Sequence, residues 1–158
     1  MLAATDNLAA TPSPPFPAPQ PPPEAHLTPA PHGTFQITLT PHAPAQAPSP
    51  AIGRMHFDKT WSGDLSGHSR GEMLSVGDPA SGTASYVVLE VFTGTLAGRG
   101  GSFAFRQSGD MHAGQSSLTY EVVPHSGSGE LSGMSGALTL NRVDGVHHYT
   151  LTWELPGG

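Results

Sequence analysis

The feature that most narrows the fold is the run from Thr83 to Gly109, TASYVVLEVFTGTLAGRGGSFAFRQSG. A long apolar segment leads into a glycine-punctuated turn around Gly94, Leu96 and Gly98, and a second segment, Ser102-Phe103-Ala104-Phe105, follows it. Two β runs joined by a Gly-rich connection spell a hairpin. The same turn pattern, Gly-x-Leu-x-Gly, occurs again from Gly63 to Gly67 and from Gly129 to Gly133.

The flanking sequence repeats the theme. Phe35, Ile37 and Leu39 alternate with polar residues, which is the period of one strand. A second strand is expected over about Ile52 to Trp61, with Met55, Phe57 and Trp61 on one side. Lys59 falls on that apolar side, and the expectation is that its long side chain snorkels to the rim. Further strands are expected over His68 to Val76, Thr83 to Thr93, Gly101 to Gln107, Gln115 to Val123, Ala137 to Asn141 and Val146 to Leu155. Gly109 to Gly114 reads as a loop, and Asp144-Gly145 as a tight hairpin turn. No segment has a helical period. Eight short strands with frequent turns mean an all-β sandwich or barrel, and eight are enough to close a barrel. Closure would also remove exposed edges, which matters in a domain with few charges to guard them.

Composition divides the chain. Fourteen of the 17 prolines lie in residues 1–50. Residues 1–32 therefore read as a disordered Pro-rich tail that favours polyproline II, and residues 33–158 as one β domain. Pro14 and Pro17 can be read as a PxxP motif, although a solvated linker is the simpler reading. A formal charge of −6, with one lysine and no basic cluster, argues against nucleic-acid binding. The chain has no cysteine, which excludes disulfides and thiolate metal sites. No apolar run approaches the roughly 18 residues of a membrane helix, and the first 32 residues lack the shape of a secretory signal. The expectation is a soluble cytoplasmic protein with no membrane partner.

The segments SYVVLEVFTGTLAGRGGSF, VVPHSGSGELSGMSG and GVHHYTLTWELP resemble a bacterial family of unknown function among the allene oxide cyclase-like β-barrels. The resemblance implies an eight-stranded antiparallel closed barrel, often oligomeric in related families, and brings no established reaction. It matches Tyr86 and Glu90 to family motif positions. It also shows departures: Gln107 stands where the family tends to carry His, His125 where it favours Gly, and Trp153 where it favours Tyr. An amide does not titrate, so proton transfer at position 107 does not carry over.

Tyr86 and Glu90 share one face of their strand with Ala84, Val88 and Phe92. By alternation alone, either that face or Val87, Leu89 and Val91 fills the barrel. The resemblance turns Glu90 inward, where a carboxylate among apolar neighbours can act as acid or base. His147 shares a face with Tyr149 and Trp153 and is the second candidate for moving a proton. His148 points the opposite way, so the two histidines cannot chelate one metal, and no metal or cofactor is expected. The Gly-His-Ser-Arg-Gly stretch at 67–71 fits a hydrolase elbow pattern but opens a β-strand, so it is read as structural.

These residues support first a barrel that binds a small apolar molecule. Its pocket would be lined by Phe57, Trp61, Phe103, Phe105, Tyr149 and Trp153, with Glu90, Tyr86, Gln107 and His147 as its few polar groups. The second reading is an isomerase or cyclase using Glu90 and His147. The third is a structural barrel with a filled core. A homo-oligomer is compatible with each.

Overall fold

Period-two alternation gives every segment one apolar side, and the strands hide those sides by wrapping around them. The computed structural model describes residues 30–42 and 48–157. The strands are β1 (His32–Pro41), β2 (Gly53–Gly63), β3 (Leu65–Asp78), β4 (Thr83–Leu96), β5 (Arg99–His112), β6 (Gln115–Val122), β7 (Ser128–Gly129), β8 (Ser135–Val143) and β9 (Val146–Glu154). All pairings are antiparallel, in the order β4-β3-β2-β1-β9-β8-β6-β5, and β4 pairs with β5 to close the ring. Eight strands therefore form a closed barrel, and the two-residue β7 lies against Gly101 and Ser102 of β5. The first and last barrel strands meet at His32–Phe35 and His147–Thr150, and the Leu151 amide donates to the Pro31 carbonyl at 2.8 Å. The expected tail falls mostly outside the described residues, as 1–29 are not among them. A single 3-10 turn at Pro79–Ser81 is the sole helical element described.

The three Gly-x-Leu-x-Gly turns share one task. Leu65, Leu96 and Leu131 all have no exposed surface, and they plug one end of the barrel together with Met134. Gly67 and Gly94 face each other across β3 and β4 with φ of 152° and 157°. A Cβ on Gly67 would run into the Thr93 carbonyl and lie 2.8 Å from the Gly94 Cα, so the two strands approach closely only as glycines.

Above that plug the interior is filled. Trp61, Phe92, Phe103, Phe105, Tyr149 and Leu151 are all buried in one cluster. The face of β4 that looks inward is the one carrying Tyr86, Val88, Glu90 and Phe92, and Glu90 is 0% exposed. Val87, Leu89 and Val91 lie outside, with Leu89 65% exposed. Together with Leu74 and Val76 of β3 they make an apolar stripe on the outer wall. Exposed apolar patches of this kind mark interaction surfaces.

Several strands run further than alternation predicts, β4 reaching Leu96 and β8 spanning Ser135–Val143. β5 continues through Gly109 to His112, so the loop expected at 109–114 shrinks to a turn at Ala113 and Gly114. The reason lies across the sheet: Tyr86 pairs with Gly109 and its ring covers the space a side chain would fill. β3 likewise begins at Leu65, inside the first Gly-x-Leu-x-Gly motif.

Candidate functional site

β2 carries Phe57, Lys59 and Trp61 as successive inward residues, all buried. Lys59 does not snorkel. It is 4% exposed, and its ammonium lies 2.9 Å from Glu90 Oε2 and 2.9 Å from the Tyr120 hydroxyl oxygen. Four rings surround it: Phe35 at 4.7 Å, Phe57 at 4.9 Å, Tyr120 at 5.1 Å and Trp61 at 5.4 Å to the ring centres. Such cation–π contacts contribute roughly 0.5–2 kcal/mol each where water is excluded. A buried ammonium still requires a counter-charge, and Glu90 supplies it.

Glu90 is saturated. Its Oε2 accepts from Lys59 Nζ, from Gln107 Nε2 at 2.9 Å and from the Tyr120 hydroxyl at 2.7 Å. Its Oε1 accepts from Ser69 Oγ, and Ser69 in turn accepts from Trp61 Nε1 at 2.7 Å. Among the described residues no buried side-chain nitrogen or oxygen is left without a partner. The network draws on five barrel strands: Lys59 and Trp61 on β2, Ser69 on β3, Glu90 on β4, Gln107 on β5 and Tyr120 on β6. Gly71, beside Glu90 in register, leaves room for the Phe57 ring. Removal from water holds the Lys59 pKa below its ordinary value, against the opposing pull of Glu90.

Beyond this polar layer the barrel opens. A cavity of about 210 Å³ is lined by Phe35, Ile37, Lys59, Tyr86, Gln107 and His147, with Met73, Val88 and Leu140 among its apolar walls. His147 stacks on Phe35 with centroids 4.8 Å apart and planes 9° from parallel. Burial, with Arg142 and Lys59 nearby, lowers its pKa, which favours the neutral imidazole. A larger concavity of about 570 Å³ lies on the outer wall around Leu74, Val87 and Leu89, and neither Lys59 nor Glu90 is among its lining residues.

Of the residues the sequence singles out, Tyr86, Gln107 and His147 line this cavity. Glu90 reaches it only through Lys59 and Gln107. Trp61, Phe103, Phe105 and Tyr149, expected to line a pocket, are packed against one another and their neighbours in the filled core. Tyr149 accepts from the Leu65 amide at 2.7 Å, and Trp153 packs against the same core. Lys59, Ser69 and Tyr120 carry the network and were missed as site residues. The signal for Lys59 was its place on an apolar face, since a lysine there needs a carboxylate across the barrel.

Residues 31–153 match the family described as protein of unknown function (DUF3224). The chain belongs to the DUF3224 family. A crystal structure of a DUF3224 protein of unknown function from Shewanella oneidensis MR-1 is 40% identical and superposes with a TM-score of 0.73. That match covers 80% of this chain and 96% of the other. No curated protein matches the chain. Among the described residues of this DUF3224 barrel, no three metal-ligating side chains gather in one place. Among the same described residues, no helix is long and apolar enough to cross a membrane.

The three tyrosines give a measurable pH signature. Burial raises the pKa of each above the ordinary 10.0, and that of Tyr120 well above it because Glu90 adds its negative charge. The folded chain thus holds phenolic protons that the unfolded chain releases near pH 10. Their contribution to stability is complete below that pH and is lost as pH rises through the folded values. Lys59 runs the other way: its folded pKa lies below 10.5, so stability gains as pH climbs toward that value. Absorbance titration of the folded protein is expected to place the phenolate steps above pH 10, and urea is expected to bring them down to it. A full three-tyrosine step at pH 10 in the folded state would contradict the described burial.

Proposed function

We propose that this DUF3224 barrel binds a small, mainly apolar molecule at its open end, with a carbonyl-type oxygen directed at Lys59. The observation that supports the reading is a lysine in the wall of a mainly apolar cavity. Lysine has three N–H donors, and Glu90 and Tyr120 take two of them. Apolar walls with a few convergent polar groups are the usual make-up of a ligand site. The cavity of about 210 Å³ is smaller than the roughly 300 Å³ at which ordinary ligand pockets begin. Its occupant is therefore small, of about the volume of seven waters at roughly 30 Å³ each. The filled aromatic core leaves no interior space for a long flexible substrate, which supports binding over cyclisation of such a chain. Kinship with allene oxide cyclase-like barrels is part of the same proposal, supported by the eight-strand closure.

Cyclohexanone is a suitable probe, since it joins one carbonyl to a compact apolar ring. In a heteronuclear NMR titration its addition is expected to shift the amide signals of Ile37, Lys59, Gln107 and Leu140, and to leave Leu131 and Met134 at the plugged end unmoved. Cyclohexanol is expected to produce weaker shifts at the same sites. Shifts confined to the outer wall around Leu74 and Thr119, or none at tens of millimolar, would sink the reading.

A further inference from the structure

We infer that Lys59 is a nucleophilic amine, placed to condense with an aldehyde or ketone held in the open-end cavity. The inference rests on the binding reading above and adds a reaction class to it. Two features of the geometry separate Lys59 from a purely structural ion pair. Lys59 is one of the residues lining the cavity, which places its side chain beside a bound carbonyl compound. The amine also has fixed proton acceptors and donors at 2.9 Å, Glu90 Oε2 on one side and the Tyr120 hydroxyl on the other.

A lysine needs its lone pair free to attack, and a desolvated lysine next to apolar surface frees it most readily. Here four aromatic rings exclude water, and burial pulls the pKa of Lys59 down from that of an exposed lysine. Ser69, Gln107 and Tyr120 hold the Glu90 carboxylate in place, so the base does not have to reorganise when it accepts a proton.

The step balances without any further reagent. One ammonium proton passes from Lys59 to Glu90 across their hydrogen bond. The freed nitrogen pair forms a C–N bond to the carbonyl carbon, and the C=O π pair moves to oxygen. That oxygen takes a proton from Tyr120, which recovers one from Glu90. The adduct nitrogen, which carries two protons and a positive charge after attack, gives one of them to Glu90; that proton, relayed through Tyr120, converts the hydroxyl to leaving water as the freed nitrogen pair closes to a protonated C=N. Carbonyl compound and amine give an imine and one water, with nothing oxidised or reduced.

Lys59 is the only lysine in the chain, so labelling of a side-chain amine can occur at one place. The folded full chain is treated at neutral pH with cyclohexanone and sodium cyanoborohydride, which reduces an imine to a stable secondary amine. Peptide mapping is expected to find one cyclohexyl group per chain on Lys59, formed faster than on free Nα-acetyl-lysine under the same conditions. If the ketone shifts the cavity resonances while Lys59 stays unmodified until urea unfolds the chain, the amine chemistry is wrong and the binding reading stands. If there are neither shifts nor adduct, both are wrong.

Discussion

Replacing Glu90 by Gln is expected to lower the free energy of unfolding by about 3–5 kcal/mol at neutral pH, the usual effect of breaking one side of a buried ion pair. The fold as a whole is worth only about 5–15 kcal/mol, so this one change threatens it. The amide would keep an acceptor for Gln107 and Tyr120, but the Lys59 ammonium would lose its counter-charge while remaining buried. The Ser69 hydroxyl would also lose its acceptor, because an amide nitrogen in place of Oε1 cannot accept its proton. The loss has a ceiling, since Lys59 can shed its proton instead. Doing so at pH 7 costs about 4.6 kcal/mol, from roughly 3.4 pH units at about 1.36 kcal/mol each. The defect should therefore shrink as pH rises toward the ordinary lysine value. Adding Lys59→Met is expected to recover part of the loss, because an apolar replacement of the whole pair is often nearly neutral. Urea denaturation of the two single variants and the double variant reads this directly. Strict additivity, or a Glu90→Gln loss below about 1 kcal/mol, would show that the pair is not coupled as described.

Alternation carried the sequence reading far, and its limits are instructive. Apolar residues two apart place Phe57 and Trp61, or Val88 and Phe92, on a common face, and short glycine turns force antiparallel neighbours. Those two facts are local, so the eight barrel strands and the meeting of first with last were legible. What alternation cannot supply is the partner across the barrel. Lys59 and Glu90 are 31 residues apart and Lys59 and Tyr120 are 61 apart, and closure alone brings them together. The assumption that lysine snorkels failed because Glu90 and the Tyr120 hydroxyl hold the ammonium inside the barrel, among four aromatic rings. Ser69 was passed over for a related reason. Its Gly-x-Ser-x-Gly motif needs a helix to make a nucleophile and is read only as structural, whereas its position in β3 gives it a task of its own, orienting a carboxylate. The aromatics assigned to a pocket were correctly placed on inward faces, but side-chain volume decides whether an inward face encloses space. Trp61, Phe92, Phe103, Phe105 and Tyr149 are large enough to fill their end of the barrel, and the cavity survives only where Gln107, His147 and Met73 stand further apart.

Trp61→Ala is expected to destabilise the barrel by about 3–5 kcal/mol, the range for deleting a large buried aromatic. Trp61 meets Phe35 at 4.8 Å, Tyr149 at 5.1 Å, Phe105 at 6.0 Å and Phe92 at 6.3 Å between ring centres, so its removal opens a void that rigid neighbours cannot close. The same change strips Ser69 of its donor and Lys59 of one of its four rings. Trp61→Phe separates these effects. It keeps most of the apolar volume and loses the indole N–H, so its loss is expected near 1–2 kcal/mol, about the worth of one buried hydrogen bond with some packing. Because the chain has two tryptophans, Trp153 remains as the fluorescent reporter in both variants. Should Trp61→Ala fall below about 2 kcal/mol, or match Trp61→Phe, the interior would be loosely packed rather than filled. The small size assigned to the ligand would then have no basis, because a yielding core could open to admit a longer one.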